Sequence, residues 1–151
     1  MIERRAALKV LLAAPLIPLA ARAEARDYAS AGEVLAEIDR LEGELDARLA
    51  TLAASFPAAA SFAASVRADH ERHRRTRASL RRRLRLTDAA TASGPAGGVS
   101  VDALRALAQD LVHAYAEGLP ALKDAQAVDV LARHMVDDAR HLAVFRWLVG
   151  S

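Results

Sequence analysis

Two short stretches hold most of the side chains that could do chemistry. "ADHERH" carries Asp69, His70 and His73, and "VDDARH" carries Asp138 and His141. Residues three or four apart lie on one face of a helix. That spacing pairs Asp138 with His141, Asp69 with His73, and His70 with His73. A carboxylate beside an imidazole suits Fe, Mn or Zn. It equally suits two polar residues at the edge of a core. The chain has no cysteine, which excludes disulfides, thiolate metal sites and a CxxCH haem attachment.

These residues need helices to position them, and the 151-residue chain has the composition for an all-α domain. It is rich in Ala and Leu, with few aromatics and with Gly and Pro confined to a few places. Apolar residues recur at spacings of three and four over 31–56, with Ser30 as N-cap and Glu33 completing a capping box. Pro57 ends that helix or opens the next, which spans 58–86. Residues 87–100 read as a loop long enough to cross between two hairpins. Ser100 caps a third helix over 101–118, and a fourth covers 124–149. Short turns make helices 1–2 and 3–4 antiparallel hairpins. One apolar stripe per helix then predicts an antiparallel four-helix bundle over 28–150.

Turning each helix by about 100° per residue sorts the polar side chains. Glu42 falls in line with Ile38, Leu45 and Leu49, with Glu37 and Glu44 on a flank. On helix 2 the series Phe62, Val66, Asp69, His73, Thr76, Leu80 puts Asp69 and His73 inside and His70 on the shoulder. On helix 4 the series Leu131, Met135, Asp138, Leu142, Phe145 puts Asp138 inside, flanked by His134 and His141. Tyr115 is the inward polar residue of helix 3. The candidate metal ligands are therefore Glu42, Asp69, His73, Asp138 and His141. A buried carboxylate without a partner is costly, so Glu42, Asp69 and Asp138 each need a proton, an Arg or His, or a metal ion.

The first 23 residues have the layout of a secretory signal: Arg4, Arg5 and Lys9, then a 12-residue apolar run from 10 to 21, then Ala21-Arg22-Ala23. The run is too short for an ordinary membrane span of about 20 residues. "RRAALK" resembles the twin-arginine export motif, with Glu3 where Ser or Thr is usual. The expected location is the periplasm or another exported compartment, with no transmembrane span after cleavage. An uncleaved anchor, or an amphipathic start to the domain, is the other reading. Removing residues 1–23 takes four of 21 basic and one of 19 acidic side chains, leaving 17 and 18, so the high pI belongs to the precursor.

Residues 67–85 carry nine Arg against Asp69 and Glu71. They either pair with acids on helix 1 or offer a surface to a protein or an anionic partner. No aromatics interleave with them and no nucleic-acid motif is present, so nucleic-acid binding is not expected. A phosphate-cradling Gly-rich loop, a nucleophile elbow and a His-Glu-x-x-His motif are absent as well.

From residue 28 to 149 the chain resembles the ferritin-like superfamily, in particular its small exported members. "ADHERHRRTRASLRRRL" on helix 2 and "DLVHAYAEGLPALKDAQAVDVLARHMVDDARHLAVFRWLVG" over helices 3 and 4 carry the resemblance. In metal-binding members, helices 1 and 3 each give a Glu and helices 2 and 4 each give Glu-x-x-His. Here helix 4 has Asp138-x-x-His141 and helix 2 has His70-x-x-His73, while helix 1 offers Glu37 or Glu42. Helix 3 has no inward Glu. The resemblance thus implies an altered ligand set. One outcome is a structural or binding module whose interior acids and imidazoles pair with Arg72, Arg133 or Arg140. The other is an Fe, Mn or Zn protein that uses an incomplete site.

Overall fold

The computed structural model describes residues 26–87 and 99–150, with the side chains of 149 and 150 left out. The expected signal segment and most of the 87–100 loop lie outside the described residues. Among the described residues there are four α-helices: α1 (Ala31–Ser55), α2 (Ala60–Leu84), α3 (Val101–Gly118) and α4 (Ala125–Gly150). Single 3-10 turns at Pro57–Ala59 and Leu119–Ala121 join the two hairpins. The all-α four-helix bundle expected from the sequence is what the chain forms.

The helix ends follow local chemistry. Ser30 Oγ accepts the Glu33 amide at 3.3 Å, and the Glu33 carboxylate accepts the Ala29 amide at 3.0 Å. Ser100 Oγ accepts the Ala103 amide at 3.1 Å, and Asp124 caps α4 through the Ala127 amide at 2.8 Å. Arg85 closes α2 in the left-handed region, with φ of 55°. Phe56 was expected on the apolar line of helix 1, but α1 ends one residue earlier and leaves it 59% exposed.

Close contacts set the topology. Gly118 at the end of α3 meets Val34 near the start of α1, where an added Cβ would lie 2.5 Å from Val34 Cγ1. Phe62 meets Phe145 edge-on at 5.4 Å, and Arg83 pairs with Asp124, so α2 and α4 run antiparallel. α1 and α3 are antiparallel for the same kind of reason, which makes the order up, down, down, up.

The core is apolar where α1 meets α3. Leu35, Ile38, Leu45, Leu49, Leu104, Leu111, Leu131 and Phe145 are all buried there or against it. α2 and α4 stand further apart than the other neighbouring helices, bridged by side chains. The inward line of α2 is polar over its middle: Ala63, Val66, His70, His73, Arg77 and Leu80. Val66, His73 and Leu80 stand on that line as expected, whereas His70 and Arg77 take the interior places expected for Asp69 and Thr76. Thr76 is half-buried with its hydroxyl on the Arg72 carbonyl, and Arg77 takes the interior place. Among the described residues no helix is long and apolar enough to cross a membrane.

Candidate metal centre

The polar interior is built as an antiparallel ladder. α1 offers Asp39, Glu42 and Asp46, spaced three and four apart. α2 runs the other way with His70, His73, Arg77 and Arg81. Arg77 is fully buried and donates to Asp39 Oδ1 at 2.8 Å and to Glu42 Oε1 at 2.9 Å. Its other terminal nitrogen donates to Glu42 Oε2, and Arg81 donates to Asp39 Oδ2. Tyr115 reaches in from α3 and donates to Glu42 Oε1 at 3.1 Å. Burial opposes ionisation of Glu42, but the Arg77 charge and the hydrogen bonds from His73 and Arg77 outweigh it, holding its pKa at about 2. Burial, with the charges of Glu42 and Asp138, pushes the Tyr115 phenol well above its usual range, so it stays a donor.

α4 supplies the centre itself. Asp138 is buried, and His70 Nε2 lies 3.1 Å and His141 Nδ1 3.3 Å from its Oδ1. Asp138 Oδ2 is buried with no hydrogen-bond partner, and His73 Nδ1 lies 3.8 Å from it. Each of these imidazoles turns its other nitrogen to an outer carboxylate. His70 Nδ1 lies 2.7 Å from Asp46, His141 Nε2 3.1 Å from Asp69, and His73 Nε2 3.4 Å from Asp137. An outer carboxylate behind a histidine is the arrangement that orients metal-ligating imidazoles and sets their tautomer.

Counting charges separates Asp138 from its neighbours. Asp39 is met by Arg77 and Arg81, Glu42 by Arg77, and Asp46 by Arg74 at 2.7 Å. At the rim, Arg72 meets Asp69 at 2.8 Å and Arg140 meets Asp137 at 3.1 Å. Asp138 alone among these six carboxylates has no arginine and faces only imidazoles. If His70 gives its Nδ1 proton to Asp46, its Nε2 lone pair points at a carboxylate oxygen. Two acceptors at that distance need a cation between them, either a proton or a metal ion. Burial opposes charge on His70, but Asp138 and Asp46 on its two nitrogens outweigh that and push its pKa up to about 10. Hydrogen bonds from His141 and His70 likewise overcome burial and hold Asp138 well below the usual carboxylate range.

The donor set fits a divalent transition metal. The ligand atoms of His70, Asp138 and His141 lie within 4.8 Å of one another, and all three residues are buried. Ligand atoms about 2.0–2.1 Å from a tetrahedral ion are separated by about 3.3 Å, close to the 3.1 and 3.3 Å from Asp138 Oδ1 to His70 Nε2 and His141 Nδ1. Two histidines and one carboxylate with open positions suit non-haem Fe(II) or Zn(II). A second trio, Glu42, His73 and Asp138, meets the same distance condition and shares Asp138 with the first.

The expected ligands thus divide. Asp138 and His141 lie in the first trio, His73 and Glu42 in the second, and Asp69 stands at the rim behind His141 with its side chain 26% exposed. His70, read as a shoulder residue, was left out of the ligand set, and Asp46, Asp137, Arg74, Arg77 and Arg81 were missed. The spacing of the acids at 39, 42 and 46 against bases at 70, 73, 77 and 81 is the signal that would have found most of them. Of the arginines expected to quiet the network, Arg72 and Arg140 do so at the rim, whereas Arg133 pairs with Asp129 outside it. His134 joins the interior, stacked on His73 with ring centroids 4.0 Å apart. Burial and the charges of His73 and Arg77 pull its pKa down to about 4. On α2, six of the nine Arg residues between 67 and 85 meet a carboxylate, among them Arg75 with Glu71 and Arg83 with Asp124.

No family model, curated protein or solved structure matches the chain, so its chemistry has to be read from this geometry.

Proposed function

We propose that this protein is an exported, ferritin-like binding module that holds a single divalent transition metal, Fe(II), Mn(II) or Zn(II), on His70, Asp138 and His141. The observation that carries the reading is Asp138: a buried carboxylate with one oxygen free of hydrogen bonds, faced only by imidazoles that outer carboxylates hold in place. The up, down, down, up order of the four described helices supports the ferritin-like assignment. The basic, apolar and small-residue pattern of residues 1–23 supports export.

The ligand set is a reduced one. α3 brings Tyr115 to the interior in place of a carboxylate, and Glu42 is engaged by Arg77. Binding and retention of the ion, without turnover, is therefore the proposed activity. The test is to strip the purified protein with chelator, load it separately with Fe(II), Mn(II) and Zn(II), desalt it and count the metal by elemental analysis. One equivalent in the wild type, lost in His70→Ala and in Asp138→Ala, is expected. A wild-type protein that retains none of the three ions would overturn the reading.

A further inference from the structure

Two trios of possible ligands meet at Asp138, yet only one of them is open. Glu42 is saturated in the other. Its Oε1 takes Arg77 Nη1 at 2.9 Å, Tyr115 at 3.1 Å and His73 Nδ1 at 3.2 Å, while Oε2 takes the second Arg77 nitrogen. Arg77 is as buried as Glu42, both at 0% exposure, and the guanidinium cannot give up its charge in a protein. The first trio has no such occupant. His70, Asp138 and His141 face one another with protons or an ion as the only cations between them.

We infer that Arg77 serves as a fixed cation in place of a second metal ion, so that the bundle holds one ion and removing the guanidinium opens a second site on Glu42, His73 and Asp138. The inference rests on the single-metal reading above and names the residue that sets its stoichiometry. The physical reason is electrostatic. Glu42 and Asp39 together need positive charge in a dry interior, and a bidentate arginine supplies it without an ion. An ion at the second trio would lie beside the Arg77 guanidinium and would have to take Glu42 from it. At the first trio an ion displaces only protons. Arg77 therefore also sets which trio fills first. Met at position 77 keeps an unbranched side chain and removes the charge, leaving Glu42 to a metal ion and Asp39 to Arg81.

The experiment compares folded, chelator-stripped wild type, Arg77→Met, Glu42→Gln and the Arg77→Met/Glu42→Gln pair. Each is titrated with Co(II), and the retained metal is counted by elemental analysis after gel filtration. The expected equivalents are one for wild type, two for Arg77→Met, one for Glu42→Gln and one for the double variant. Arg77→Met held at one equivalent beside a wild type at one would overturn the inference and leave the His70, Asp138, His141 centre standing. A wild type at zero would remove both, and a wild type at two would overturn the inference alone. If Arg77→Met does not fold, Glu42→Gln decides the matter. Glu42 belongs to Arg77 and not to the ion, so Glu42→Gln keeps its one equivalent. Loss of that metal would overturn the inference.

Discussion

In the metal-free protein Asp46 and Asp138 on its two nitrogens favour the imidazolium form of His70, and raising the pH should destabilise the bundle by removing that proton. His70 has a folded pKa pushed up from 6.5 to about 10. A base with a raised folded pKa contributes stability that is fully present below its unfolded pKa, here about 6.5, and lost as pH rises through about 10. The full contribution corresponds to about 5 kcal/mol, of which about 4 kcal/mol is gone by pH 9.5. Domains of this size have total stabilities of about 5–15 kcal/mol, so the effect is large. Urea unfolding from pH 6.5 to 9.5 in the presence of chelator reads it directly. His70→Gln, which keeps a polar side chain but cannot hold the charge, is the control. Wild type should lose stability steadily across the range while His70→Gln changes much less. Parallel profiles for the two proteins would refute the assignment of the imidazolium to this position. Saturating metal should flatten the wild-type profile, because the ion takes over the role of the proton between His70 and Asp138.

Arg77→Ala should cost about 3–5 kcal/mol in chemical denaturation, because it strands Glu42 in the core; adding Glu42→Gln should return part of that loss. Gly118→Ala should destabilise by about 1–3 kcal/mol and lower the melting temperature, since its new methyl group would lie 2.5 Å from Val34 Cγ1 and 3.3 Å from Val34 Cβ, so that Val34 or the helices carrying the two residues must give way. His134 has a folded pKa pulled down to about 4, so the unfolded chain takes up its proton first and stability falls as pH drops from about 6.5 to about 4. His134→Phe should make that acid limb shallower in thermal melts while leaving the bound metal in place.

The architecture was legible because three of the four helices carry an ordinary apolar stripe between strong caps. Ser30, Pro57 and Ser100 mark boundaries that the structure keeps within a residue or two. α2 was harder. Its interior side chains over the middle are His70, His73 and Arg77, so apolar periodicity offers only Phe62, Val66, Leu80 and Leu84 to follow and leaves the polar positions between them free to slip by one. Val66, His73 and Leu80 were placed correctly, but Asp69 was put inside and His70 left on the shoulder. Asp138 was found because it stands between Leu131 and Leu142 on a clear stripe. Arg77 was hidden by composition: in a run with nine arginines, nothing local shows which one turns inward. The acids on α1 that decide it, Glu42 and Asp39, lie 35 and 38 residues away along the chain. A charge ladder between two antiparallel helices is visible only when both sequences are set against each other in opposite directions.

The most direct test of the central claim is a crystal of the protein grown with Zn(II) and measured on both sides of the zinc absorption edge. One anomalous peak per chain, within bonding distance of His70 Nε2, an Asp138 oxygen and His141 Nδ1, is the predicted result. An interior with no peak, or one whose peak lies instead between Glu42 and His73, would contradict it.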